Sequence, residues 1–132
     1  MSQTMRIEFA GNKKVNALYD GFEIRTDQAV ESGGDASAPE PFDLFLASIG
    51  TCAAIYIVYF CEVRKLSTEG ISLTQTWTRD ENKRLASIEL QIEVPADFPP
   101  KYHKALIRAA NQCSVKRVLR NPPTIETHVV TI

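Results

Sequence analysis

The sequence predicts an α+β domain in which short strands accompany one long, buried helix. Apolar and polar side chains alternate, as in half-buried strands, before residue 27 and again within 71–94. Between these two regions, the run 44–61 contains no charged residue, which is typical of a helix in the centre of a protein. A chain of 132 residues can bury such a helix in one domain. We therefore expect residues 1–132 to form a single domain with the order βββ-α-ββ-αα-β.

The first three strands are predicted to form an antiparallel meander. Residues 5–9 alternate, and Gly11 with Asn12 provides a turn into a second strand at Val15–Tyr19. Asp20 and Gly21 are typical of a two-residue hairpin turn, which leads into a third strand at Phe22–Thr26.

The long helix should follow a loop over residues 31–41, which is rich in glycine, serine and proline. Pro41 suits the first helical turn, and the negative charge of Asp43 complements the positive end of the helix dipole. We expect the helix to span about residues 42–66 and to end near Gly70, a candidate C-cap.

The second half of the chain predicts two long strands, two helices and a final strand. Residues 71–77 and 88–94 alternate as antiparallel strands with one buried face do. Pro99 and Pro100 open a helix, a short helix follows at 114–119, and residues 124–132 are predicted to form the last strand.

Composition and charge narrow the class of protein. The formal net charge of −1 gives no electrostatic reason to expect a nucleic acid or an anionic membrane as a partner. Three cysteines without a secretory leader favour a reducing compartment, so we expect a cytoplasmic protein. The run 44–61 is long enough to span a membrane. However, polar Ser48 and Thr51 interrupt it, and the flanking amphipathic strands need an apolar cover, which favours a buried helix.

The cysteines are the candidate reactive groups. Cys52 lies in the middle of the predicted long helix, where a thiol is either inert packing or a redox centre that takes an apolar substrate. Cys61 would lie on the opposite side of that helix. Cys113 precedes a predicted helix whose free N–H groups and basic residues could stabilise a thiolate, although a packing role is equally open. The histidine, cysteine and carboxylate spacings resemble no metal or cofactor site, so none is expected.

The segment 41–52, PFDLFLASIGTC, followed much later by a lone cysteine before a short helix, resembles the OsmC/Ohr superfamily. These are osmotically induced proteins and organic hydroperoxide resistance proteins. The resemblance implies an intertwined homodimer with the long helix at its centre and two active sites at the interface. It also implies a thiol peroxidase in which Cys52 is the peroxidatic and Cys113 the resolving cysteine. Its partners would be a small organic hydroperoxide and an external dithiol reductant. The pocket would be formed by side chains on the Cys52 face of the helix, namely Phe45, Ser48, Ile49 and Tyr56.

The sequence also departs from the peroxidases of this superfamily. They carry a glutamate where this chain has Phe42, so Asp43 is the nearest acidic substitute. They also carry an arginine in the first turn of the meander, where this chain has Lys13 and Lys14. Arg25 is a further candidate for that role. Two alternatives therefore stand beside a peroxidase: a non-catalytic dimer that binds a small apolar ligand in the interfacial cleft, and a structural module in which all three cysteines are packing.

Overall fold

The computed structural model describes residues 3–132, in two compact units whose boundary follows Ala47. The first unit contains a three-stranded antiparallel sheet in the order β1-β2-β3, with β1 at Arg6–Phe9, β2 at Val15–Tyr19 and β3 at Phe22–Thr26. The predicted meander is therefore confirmed.

The turn between β2 and β3 explains the register of that hairpin. Asp20 and Gly21 both have positive φ angles, 50° and 79°, as a two-residue hairpin turn of type I′ requires. Tyr19 consequently pairs with Phe22, and the pairing continues without a bulge to Val15 opposite Thr26.

A buried carboxylate organises the loop after β3. Asp27 has no exposed surface, and it accepts hydrogen bonds from the backbone of Gln28 at 2.8 Å and of Ser37 at 3.0 Å. The Ser37 hydroxyl also donates to it. These bonds, above all the one from that hydroxyl, hold the pKa of Asp27 well below its usual range. The loop is thus fixed by an ionised side chain.

The long helix α1 spans Pro41–Val63. Its first residue is proline, which needs no hydrogen-bond acceptor at this position. The Asp43 side chain accepts a hydrogen bond from the backbone N–H of Glu40 at 2.9 Å, as the third helical residue of a capping box does. The predicted start of the helix is confirmed to within one residue.

The end of α1 differs from the prediction. The helix ends at Val63, and Lys65 adopts a left-handed conformation with φ of 55°. The N–H of Leu66 donates to the carbonyl of Cys61 at 2.8 Å, and the N–H of Lys65 to that of Glu62 at 3.1 Å. This pair of bonds is a Schellman motif. The proposed C-cap at Gly70 is therefore wrong, because a lysine already closes the helix.

The second unit contains two strands and, after them, two helices. Strands β4 (Ser72–Arg79) and β5 (Leu85–Glu93) are antiparallel. Helix α2 (His103–Asn111) follows a single 3₁₀ turn at Pro100–Tyr102, and α3 spans Ser114–Arg120. The core is formed by one stripe of α1, the loop after β5 and the inner face of α2. Its buried members are Ala53, Ile57, Phe60, Cys61, Phe98, Leu106 and Ala110.

The other side of α1 is exposed in the single chain. Ile55, Tyr59 and Val63 are 39 %, 53 % and 80 % exposed. By length and composition α1 could cross a membrane, with a third of its most apolar window buried. That is weak evidence for a span, since core helices of soluble proteins share these properties, and the buried stripe of α1 belongs to the core.

The predicted C-terminal strand at residues 124–132 is not formed. These residues have no helix or strand assignment, and all of them are exposed. A strand is defined by hydrogen bonds to a neighbour, and within residues 3–132 no strand pairs with this segment. This part of the prediction is wrong for the single chain.

Candidate active site

Helices α1 and α3 bring Cys52 and Cys113 together. The side chain of Cys113 hydrogen-bonds to the Cys52 thiol. Cys113 is fully buried and is the N-cap residue of α3, where its sulfur accepts a hydrogen bond from the backbone N–H of Lys116 at 3.3 Å. Cys52 is only partly buried. Of these two thiols, Cys52 is therefore the one that a solute can reach.

The surroundings of Cys52 favour its ionised form. Burial by itself raises the pKa of this thiol, but hydrogen bonds from the backbone N–H of Val115, the side chain of Cys113 and the backbone N–H of Ser114 lower it. The positive charge of Arg117 lowers the pKa further, so that it lies below the ordinary value for a cysteine. Because the thiolate is the nucleophile, this environment makes Cys52 more reactive at neutral pH.

Arg117 belongs to a small polar cluster with Tyr56 and Ser114, which we call the Arg117 cluster. Its Nη2 atom donates to the Tyr56 hydroxyl at 3.1 Å and to Ser114 Oγ at 3.3 Å. The two hydroxyl oxygens lie 3.2 Å apart. The effect of Arg117 on Cys52 was not predicted from the sequence.

A signal for this cluster was nevertheless present in the sequence. Tyr56 lies four residues after Cys52, and Arg117 lies four residues after Cys113. On helices, residues four apart share a face. If the two cysteines meet, the side chains one turn further along each helix can meet as well.

Two of the predicted pocket residues, Ile49 and Tyr56, line clefts on the protein surface. Ile49 lines a cleft of about 550 Å³ together with Leu90, Lys116 and Leu119, among others. Tyr56 lines a different cleft of about 470 Å³, whose walls include Phe60. Both clefts are lined by apolar side chains together with polar and charged ones.

The other two predicted pocket residues, Phe45 and Ser48, lie on α1 as well. Phe45 is partly buried and packs against Phe42, with the ring centroids 5.3 Å apart. Ser48 is also partly buried. Their predicted role in binding a substrate stays a prediction.

The predicted supporting residues all lie in the first unit. Lys14 forms an ion pair with Asp35, and Arg25 forms one with Glu23 at 3.1 Å. Asp43 caps α1, as described above, and Lys13 lies exposed in the turn between β1 and β2. A role for Lys13, Lys14, Arg25 or Asp43 in supporting Cys52 stays a prediction.

The third cysteine has the environment of a packing residue. Cys61 is fully buried in the core, and burial raises the pKa of its thiol although Arg64 acts in the opposite direction. Across residues 3–132, no group of three or more histidine, cysteine, aspartate or glutamate side chains could hold a metal ion.

Solved structures with the same fold come from several bacteria. A protein from Psychrobacter arcticus, described as an osmotic stress induced and detoxification response protein, has a TM-score of 0.76 and 21 % identity, over 89 % of this chain and 88 % of that one. An OsmC-like protein from Mycoplasma pneumoniae gives 0.73 and 16 %, over 92 % and 89 %. An organic hydroperoxide resistance protein from Elizabethkingia anophelis gives 0.63 and 19 %, over 92 % and 91 %.

At these identities the likeness shows a shared fold. A comparison with curated protein sequences gives no match. The family model of OsmC-like proteins, however, matches residues 33–128, a range that contains both Cys52 and Cys113. The chain therefore belongs to the OsmC-like protein family.

Proposed function

We propose that this protein is a cysteine-based peroxidase that reduces organic hydroperoxides. The observation that carries the proposal is the contact between Cys52, whose pKa is lowered, and the side chain of Cys113. An accessible thiol with a lowered pKa beside a second thiol, which can react with the sulfenic acid to form a disulfide, is typical of cysteines that peroxides oxidise.

In the first step, the Cys52 thiolate attacks the terminal oxygen of the hydroperoxide. A sulfur–oxygen bond forms, the oxygen–oxygen bond breaks, and the alkoxide leaves as an alcohol after taking one proton. Sulfur loses two electrons and becomes a sulfenic acid. The backbone N–H groups of Ser114 and Val115 support this step, because they stabilise the thiolate before it reacts.

In the second step, the Cys113 thiol attacks the sulfenic acid. A disulfide forms between the two cysteines and one water molecule leaves. An external dithiol then reduces the disulfide by exchange and is itself oxidised. The hydrogen bond between the two side chains supports this assignment, because it leaves the sulfurs little distance to travel.

Apolar side chains near the reactive thiol favour organic hydroperoxides over hydrogen peroxide. Ile49 precedes Cys52 by one helical turn, and it lines a cleft together with Ile88, Leu90 and Leu119. Each methylene group buried against such a wall contributes about 0.8 kcal/mol to binding. The Elizabethkingia anophelis relative is named for resistance to organic hydroperoxides, in agreement with this class of substrate.

The working form is proposed to be a homodimer in the cytoplasm. The exposed side of α1 and the exposed C-terminal residues Ile125, Val129 and Val130 form apolar surfaces that a second copy could cover. All three cysteines are free, and a reducing compartment keeps such thiols available for catalysis. Sedimentation of the purified protein at micromolar concentration tests this: a purely monomeric species contradicts the dimer.

The peroxidase proposal is tested by mass spectrometry after brief treatment with a stoichiometric amount of cumene hydroperoxide. We expect a disulfide between Cys52 and Cys113, together with one molecule of cumyl alcohol per disulfide. The variant Cys52→Ser should form neither product, whereas Cys61→Ser serves as the matched control and should form both. If both thiols of the native protein stay reduced, the proposal fails.

A non-catalytic binding role is the second candidate. The observation in its favour is a cleft of about 240 Å³ whose walls are mainly apolar, with Ile92, Val94 and Leu106 among them. Native mass spectrometry of the gently purified protein tests this role. A stoichiometric apolar ligand that Cys52→Ser also retains would support the binding role. If the thiols are unreactive and no ligand is bound, the binding role is excluded.

A further inference from the structure

The guanidinium group of Arg117 is fixed by two hydroxyl groups. One nitrogen, Nη2, donates to both the Tyr56 hydroxyl at 3.1 Å and the Ser114 hydroxyl at 3.3 Å. Arg117 itself is exposed, and an exposed arginine usually samples many side-chain conformations. The two hydroxyl groups therefore determine where its charge lies.

These hydroxyl groups belong to residues that adjoin the two cysteines. Ser114 directly follows Cys113, and its backbone N–H bonds to the Cys52 thiol. Tyr56 lies one helical turn after Cys52 on α1. The Arg117 cluster thus connects the guanidinium to both α1 and α3, at a position from which its charge acts on the Cys52 thiol.

The neighbouring lysine has a different partner. The amine of Lys116 donates to the side chain of Asn111 at 2.7 Å, so its charge is directed toward the end of α2. Among the groups that lower the pKa of the Cys52 thiol, Arg117 contributes a positive charge, whereas Cys113, Ser114 and Val115 contribute hydrogen bonds.

We propose that Arg117, held by Tyr56 and Ser114, is the positioning residue that supplies positive charge to the Cys52 reaction. The inference rests on the proposed function, in which negative charge moves from sulfur to the departing alkoxide. A cation held in a fixed position, close enough for its charge to act on the Cys52 thiol, stabilises such charge without reorganising during the reaction.

The test is the rate at which iodoacetamide alkylates Cys52 between pH 5 and pH 10, resolved for each cysteine by peptide mass spectrometry. We expect Arg117→Gln to slow alkylation at pH 7 by about three- to tenfold and to move the profile to higher pH, because an opposite charge no longer favours the thiolate. Arg117→Lys should restore most of the rate. Tyr56→Phe, which keeps the charge but removes a tether, should give an intermediate profile.

Arg120→Gln is the matched control, since it removes one positive charge from the same helix without touching the cluster. Its profile should coincide with that of the native protein. Cys61 must stay unlabelled in every variant, which reports an intact core. The proposal is overturned if the pH profile of Cys52 alkylation is the same in Arg117→Gln as in the native protein. It is also overturned if Arg120→Gln shifts this profile as much as Arg117→Gln does.

This readout is independent of hydroperoxide turnover. If the native protein fails to reduce cumene hydroperoxide but Arg117→Gln shifts the alkylation profile, the peroxidase function is wrong and the role of Arg117 stands. If turnover occurs and the profile of Arg117→Gln is unchanged, the function stands and the role of Arg117 is wrong.

Discussion

The sulfur of Cys113 accepts a hydrogen bond from the backbone N–H of Lys116 at 3.3 Å, so this side chain caps α3 while it contacts the Cys52 thiol. One residue thus combines a structural and a chemical role. A suitable pair of substitutions can separate them, because serine is a preferred N-cap residue and alanine is not.

The first prediction concerns Cys113→Ala and Cys113→Ser. Both variants lack the resolving thiol, so hydroperoxide should leave Cys52 as a sulfenic acid that dimedone traps in mass spectra. Only the alanine variant also lacks the cap, and it should be less stable than the serine variant by about 0.5–2 kcal/mol in urea unfolding. Equal stabilities would show that the cap contributes nothing, and failure to trap a sulfenic acid would contradict the assigned order of the two cysteines.

The second prediction is a pH dependence of stability that originates at Cys52. Because folding lowers the pKa of this thiol, its contribution to stability is fully present above the pKa of the unfolded thiol, about 8.5. It is lost as the pH falls through the lower value of the folded state. The urea midpoint of the native protein should therefore rise more between pH 6 and pH 9 than that of Cys52→Ser. If the urea midpoints of the two proteins change equally with pH, folding does not lower the pKa of Cys52.

The third prediction concerns acid stability and Asp27. Its pKa is depressed by hydrogen bonds, chiefly from the Ser37 hydroxyl, so its contribution is present above the pKa of an unfolded aspartate, about 3.9. That contribution is lost as the pH falls through the lower folded value. Asp27→Asn should lower the melting temperature at pH 7. As the pH is lowered, the melting temperature of this variant should fall less than that of the native protein. Asp97→Asn, which removes an exposed carboxylate, is the control. The prediction is contradicted if the melting temperatures of Asp27→Asn and Asp97→Asn depend on pH in the same way.

The fourth prediction concerns the left-handed residue after α1. Lys65 has φ of 55°, a conformation that costs most residues about 1–2 kcal/mol and glycine very little. Lys65→Gly should raise the free energy of unfolding by up to about 1 kcal/mol, the gain being reduced by the greater freedom of glycine in the unfolded chain. Lys65→Ala removes the same charge and keeps the strained conformation, so it should not stabilise the protein. A stabilisation shared by both variants would point to charge as the cause.

Local sequence patterns predicted most of the fold. The hairpin at Asp20 and Gly21 and the proline at the start of α1 were predicted because each depends on backbone preferences of neighbouring residues. The helix end was not, since the Schellman motif places an ordinary lysine, Lys65, in a conformation that usually indicates glycine. The strand at 124–132 was also predicted wrongly, because alternation describes a strand but does not supply its partner.

Less of the candidate site than of the fold could be predicted from the sequence. The resemblance to a family singled out Cys52 and Cys113, and the structure brings them into contact. Spacing within one helix cannot show which residue of another helix it meets, so the basic residues of α3 were predicted to act on Cys113, and an action of Arg117 on Cys52 was not predicted. Arg117 and Tyr56 are distant in sequence and meet only in the folded structure, so local sequence patterns could not predict their contact.

The equal offsets in the Arg117 cluster restrict which changes of chain length the site can tolerate. Inserting or deleting one residue between Cys52 and Tyr56, or between Cys113 and Arg117, would rotate the second side chain by about 100° about its helix axis. Every residue type would be retained, yet the guanidinium and the thiol would face different directions. In this protein the distance along the chain is as much a part of the site as the side chains themselves.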